Sequence, residues 1–291
     1  MVHVLENDNL KISINTYGGE LNSIFNKKND TEYLWDGNPS GWKYHAPVLF
    51  PIVGKVKDFK YKVNNAIYEL PQHGLARVSD FNMVEKTNDT IRFDLEYSKD
   101  TLKVYPFKFR LSSIYTLTGS TVKVQYKVFN MDDKSIYFSI GSHPAFRCPI
   151  DSEESIEDCY LEFENEENAS INVLTKDGYL YRDKESYMVN TNIINLKKGT
   201  FKNDALIFSS LNSNKVSIKS VNNDKSVTVD FKDFPYLGIW SPLNGARLLC
   251  IEPWYGHADY CDFEGEFSTK EGVIELAQGK EFECSYSVEI N

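Results

Sequence analysis

Long apolar runs, paired cysteine motifs, basic clusters and helical periodicity are all missing from this chain of 291 residues, and each absence excludes something. No apolar stretch approaches the roughly 18 residues a membrane-spanning helix needs, which excludes such a span. The five cysteines, at 148, 159, 250, 261 and 284, are odd in number and contain no C-x-x-C pair. That argues against a disulfide framework or a zinc knuckle and for reduced thiols in a cytoplasm. The N-terminal residues Met1–Glu6 carry neither a basic leader nor a signal-length apolar core, so export is not expected. A net charge of −10 without a basic stripe works against nucleic acid as a partner, because that binding draws on neutralised phosphates. Gly18-Gly19 lacks the following helix of a phosphate loop, so no nucleotide cofactor is implied. Arginine and histidine are scarce, at six and five residues against 26 lysines, which makes the position of each informative.

What the chain does contain is alternation. Leu10, Ile12 and Ile14; Ile91, Phe93, Leu95 and Tyr97; Phe107, Phe109 and Leu111; Val122, Val124, Tyr126 and Val128; and Val227, Val229 and Phe231 repeat with period two. Such runs, rich in β-branched and aromatic residues, are half-buried strands. Asn/Asp-rich breaks such as Asn64-Asn65, Asn88-Asp89 and Asn222-Asn223-Asp224 supply the turns. No stretch longer than about ten residues holds a 3.6-residue apolar period, so helices should be short and confined to connections such as 39–44 or 151–158. The fold class is therefore all-β, with two or more large antiparallel sheets packed face to face and no parallel βαβ units. Without a linker or an internal repeat, residues 1–291 read as a single domain.

Three Gly/Pro-punctuated cassettes concentrate the scarce residues: His73-Gly74-Leu75-Ala76-Arg77, Gly141-Ser142-His143-Pro144-Ala145-Phe146 and Cys250-Ile251-Glu252-Pro253-Trp254-Tyr255-Gly256. His143 follows the apolar strand 136–140 between two residues that restrict the backbone, and suits a proton donor near neutral pH; its bland reading is a bond to a nearby carbonyl. Ser142 beside it has no G-x-S-x-G elbow to make it a nucleophile. His73 lies in a turn open to close approach of a ligand, and Arg77 presents a fork for a carboxylate, a phosphate or sugar hydroxyls; a turn histidine and a structural ion pair are the alternatives. Glu252 ends the apolar strand 247–251, with Pro253 expected to stop the ladder, and is either a paired structural carboxylate or a functional base. Trp240 and Trp254 offer faces that stack on sugar rings or pack in the core. His73, His143 and His257 could in principle converge on a metal, but no ligand spacing supports one.

These cassettes, with Leu49-Phe50-Pro51-Ile52-Val53-Gly54-Lys55 and Asp204-Ala205-Leu206-Ile207-Phe208, resemble the aldose 1-epimerases (galactose mutarotases), most of all their LacX-like bacterial branch. The resemblance runs along nearly the whole chain. It implies a large antiparallel β-supersandwich with a sugar cleft and a cofactor-free, metal-free isomerase that interconverts the α and β anomers of an aldose. Carried over by motif, His143 is the acid that protonates the ring oxygen and Glu252 the base that takes the C1 hydroxyl proton, the two placed on opposite sides of the ring. His73 bonds the substrate, Asp204 holds sugar hydroxyls, and Arg77 matches the arginine of the hexose-6-phosphate epimerase branch. Lys55 stands where much of the family has arginine, keeping the charge but losing the planar fork. The implied partner is a small sugar or sugar phosphate, bound by a monomer or homodimer. A non-catalytic carbohydrate-binding sandwich is the competing class, and the presence of both His143 and Glu252 favours catalysis.

Overall fold

The computed structural model describes residues 1–291. The alternating runs form the strands they predict. Leu10–Asn15 buries Leu10, Ile12 and Ile14 and turns Lys11 outward, and Thr121–Asn130 buries Val122, Val124, Tyr126 and Val128. Leu10–Asn15 belongs to a four-stranded antiparallel sheet with Val2–Glu6, Glu20–Asn26 and Thr31–Glu32. A fifteen-stranded antiparallel sheet makes up most of the rest. The two sheets bury a common core of 62 residues, in which Leu10, Ile12 and Ile14 join Phe93, Tyr115 and Tyr126. Tyr115 spans them, its hydroxyl donating to the Gly19 carbonyl at 2.5 Å. At about 25 cal/mol per Å² of apolar surface, burial on this scale is the main force holding the fold.

One end of the large sheet positions the site. Val48–Leu49 pairs with Ile140–Ser142, which pairs with Leu248–Tyr255, which pairs in turn with Tyr236–Trp240 and, through it, Leu206–Phe208. The expected stop at Pro253 does not occur, since the strand runs on through Tyr255 with Pro253 opposite Leu237. On its other side the strand pairs with Ala145–Arg147 at residues 248–250 and with Ile140–Ser142 at 254–255. Pro253 lies opposite the gap between those pairings, where its missing N–H leaves no ladder bond unmade. The expected strand 136–140 is likewise two strands, Ile136–Phe138 and Ile140–Ser142, in different sheets.

Helices are short and lie in connections, as expected, but of the two connections named only 151–158 carries one. Residues 39–44 form no helix: Asn38 accepts N–H bonds from Ser40 at its side chain and from Gly41 and Trp42 at its carbonyl, closing a tight turn. Within 151–158 only the 3₁₀ turn Ile156–Asp158 forms. The one α-helical turn, Thr101–Val104, arises where Ser98 Oγ accepts the N–H groups of Asp100 and Thr101. No helix is long and apolar enough to cross a membrane.

Candidate active site

A cleft of about 390 Å³ opens at this end of the sheet, and it is lined by Lys55, His73, Arg77, His143, Asp204, Trp240 and Glu252. All seven residues singled out in the sequence thus meet in one place. The size suits a single small ligand.

Glu252 rises from the middle of Leu248–Tyr255 opposite Gly238, and its side chain is 1% exposed. A Cβ on Gly238 would lie 2.6 Å from the Trp254 indole, and one on Gly141 2.7 Å from it, so two bare backbone positions make room for that ring beside the carboxylate. His143 follows strand Ile140–Ser142, its N–H donating to the Pro47 carbonyl at 3.1 Å. Its Nε2 sits 3.1 Å from Glu252 Oε2. Trp42 stacks on its ring at 4.6 Å and Trp240 meets it edge-on at 5.9 Å. Ser142 points away, bonded to the hydroxyls of Tyr126 and Tyr286 in the core, which removes it as a nucleophile.

His73 is held by its turn. It has φ +64° and is followed by Gly74 at φ +74°, whose absent Cβ would come 2.3 Å from the Phe50 carbonyl oxygen. The His73 N–H donates to the Gly54 carbonyl, and the Gly54 N–H donates back to His73 Nδ1 at 3.2 Å. Burial, with the His143 and Arg77 charges adding, holds the ring well below the usual histidine pKa. A neutral ring that accepts at Nδ1 carries its proton on Nε2, so His73 is a fixed donor.

Burial dominates the other two groups as well. It pushes Glu252 well above the usual carboxylate range, with the Asp204 charge adding, and pushes His143 down, with Arg77 adding. Neither environment tolerates a lone charge, and the two groups touch. A single proton held by the pair meets both demands, because it leaves the dyad neutral overall in either position.

The rim is cationic. Arg77 donates from Nη2 to the Gln72 carbonyl at 2.7 Å and lies 4.8 Å from the Tyr44 ring centre, with no carboxylate within 4.0 Å. The structural ion pair considered for it is absent. Lys55 donates to the Asp177 carbonyl at 2.8 Å, and Lys176 lines the opening beside it. Asp204 sits at φ +75° just before Leu206–Phe208 and lines the same opening.

Sequence reasoning missed Trp42, Gln72, Lys176 and Asp177. Trp42 stood in a polar turn with no strand to give it a face. Lys176 and Asp177 lie in the Asp-Gly turn between Cys159–Leu174 and Leu180–Asn195, a pattern that announces only a hairpin. His257 does not join His73 and His143: it is buried apart from the cleft, its Nδ1 2.6 Å from the Ala258 carbonyl oxygen. A different trio, His143, Cys250 and Glu252, brings one ligand atom each to within 4.8 Å of one another.

A β-supersandwich whose cleft joins a buried histidine–carboxylate pair to tryptophan faces and charged side chains is the architecture of a sugar-transforming isomerase. The comparisons agree. The family described as aldose 1-epimerase matches residues 1–275, and the chain belongs to it. Protein LacX (plasmid) of Lactococcus lactis subsp. lactis is 33% identical over 265 residues, 87% of each chain. A galactose mutarotase related enzyme from Lactobacillus acidophilus superposes with a TM-score of 0.95 at 35% identity, covering 100% of this chain and 97% of the other. A galactose mutarotase-like protein from Lactobacillus casei does so at 0.94 and 31%, covering 100% of both.

Proposed function

We propose that the cleft binds an aldose ring and that His143 and Glu252 catalyse its anomer exchange by passing one proton through each end of a hemiacetal. The observation that carries this reading is the 3.1 Å contact between the two buried groups at the cleft floor. Ring opening adds a proton at the ring oxygen and removes one from the C1 hydroxyl. Both oxygens are bonded to the same carbon, so an acid and a base at one cleft floor are within reach of both protons. In opening, His143 gives its proton to the ring oxygen as Glu252 takes the hydroxyl proton. After rotation about C1–C2 the same transfers run backwards to close the other anomer. The pair holds one proton at every stage, the state its burial favours. His73 Nε2–H donates to the polarising ring oxygen, Asp204 holds hydroxyls, and Trp42 and Trp240 enclose the His143 imidazole. No step calls for a metal or a cofactor.

The cationic rim supports a second reading on the same scaffold, a phosphorylated sugar whose phosphate meets Arg77 and Lys55. The unpaired Arg77 favours it. Further parts of the reading are a single working domain over 1–291, a monomer or homodimer, and a cytoplasmic setting with sugars as partners. The experiment is saturation-transfer NMR on free and 6-phosphorylated aldoses with EDTA-treated protein. Exchange above the spontaneous rate is expected for at least one sugar and is unaffected by chelation; no acceleration with any aldose contradicts the proposal. Arg77→Ala separates the substrates: a phosphate site loses the phosphorylated sugar selectively, whereas equal losses on both assign Arg77 to hydroxyls or to the turn.

A further inference from the structure

Beneath the dyad lies a thiol that proton exchange does not use. Cys250 precedes Glu252 by two residues on Leu248–Tyr255, so the two side chains leave the same face of the strand. Its register partner is Ala145, two residues after His143, which brings the histidine over the same spot. The thiol is fully buried with Ala145 and Leu248, under Trp35, Trp42 and Trp240. Ligand atoms of His143, Cys250 and Glu252 lie within 4.8 Å of one another, and His143 Nδ1 is buried without a hydrogen-bond partner.

We propose that this trio is an inhibitory binding site for thiophilic divalent cations of the zinc and cadmium class. The inference rests on the epimerase reading for its consequence but not for its geometry. Tetrahedral donors bonded at about 2.0–2.3 Å to one zinc ion lie about 3.3–3.8 Å apart, so the trio, whose atoms lie within 4.8 Å of one another, must close by up to roughly 1 Å on binding. Charge favours the match: a divalent cation, a thiolate, a carboxylate and a neutral imidazole sum to zero in a site that rejects net charge. The outside charges that act on the pair, Arg77 on His143 and Asp204 on Glu252, are of opposite sign. Binding displaces two protons, one from the thiol and the one the dyad shares, and leaves the fourth coordination position facing the cleft. The dyad is then tied to the cation and cannot exchange protons with a sugar. Magnesium and calcium, which require six or more oxygen ligands, do not fit.

Cobalt(II) is the probe, in a Cys261→Ser background that removes the one exposed thiol. A sulfur-to-cobalt charge-transfer band is expected and should disappear on adding Cys250→Ser. The zinc concentration that halves anomer exchange should rise about tenfold or more in that variant, each protein scaled to its own uninhibited rate. Failure of the folded Cys261→Ser protein to show the band, or its persistence without Cys250, overturns the site. This spectroscopic arm needs neither activity nor a folded Cys250 variant for a negative result. Inhibition by magnesium at the same concentrations as zinc also overturns it. Absence of anomer exchange in the metal-free protein refutes the epimerase reading alone, and the cobalt band still decides the site.

Discussion

Glu252→Gln should cost activity and raise stability at neutral pH. The carboxyl is 1% exposed, and burial lifts its pKa well above the ordinary 4.5. In the unfolded chain the same group ionises freely. The folded state therefore holds a proton that the unfolded state gives up, and its contribution is fully present below about pH 4.5 and is lost as pH rises through the folded pKa. Across that window each pH unit lowers the folding equilibrium of the wild type by up to about tenfold. Glutamine has the same shape and does not titrate, so it escapes the loss. His143 acts with the opposite sign: its depressed pKa makes the unfolded state the better proton binder below 6.5, which costs stability as pH falls. Urea unfolding from pH 4.5 to 8 should show the two near one another at the acid end, with the glutamine variant gaining steadily as pH rises. Parallel stability curves would refute the claim that Glu252 is a desolvated carboxyl.

The pH dependence of kcat/KM follows from the same dyad. Activity requires one shared proton, so it should fall at high pH as the raised Glu252 carboxyl finally ionises and persist below pH 6.5 because His143 resists a second proton; loss of half the rate near pH 6.5 contradicts this. Gly74→Ala places a Cβ 2.3 Å from the Phe50 carbonyl oxygen at φ +74°, and should cost about 2–4 kcal/mol in urea unfolding as well as displacing His73; an unchanged midpoint contradicts it. Trp42→Ala removes the ring stacked 4.6 Å from His143 and should lower kcat/KM by roughly fivefold, since an aromatic pair contributes about 1 kcal/mol; steady-state kinetics matching the wild type contradict that.

The strands were legible because burial on one face writes itself into the sequence every second residue, as in Leu10–Asn15. The cleft was legible because His73, His143 and Glu252 stand beside Gly or Pro residues that the local backbone demands. Long-range packing was not legible. Pro253 reads as a terminator unless the gap opposite it is known, and Trp42 reads as a turn residue until the fold lays it on His143. The contact between His143 and Glu252 joins positions 109 residues apart, and only the sheet order that puts Ile140–Ser142 beside Leu248–Tyr255 creates it. Cys250 was read only as one of five free thiols, and its burial and its closeness to the dyad depend on the same pairing.

The central claim is that His143 and Glu252 work as one proton-sharing unit. Anomer-exchange rates of wild type, His143→Asn, Glu252→Gln and the double variant, each corrected for spontaneous exchange, test it most directly. Each single change should lower kcat by about two orders of magnitude or more, and the double variant should be no more than about threefold slower than the slower single one. Losses that multiply to about 10⁴, or a Glu252→Gln protein of near wild-type rate, contradict the account.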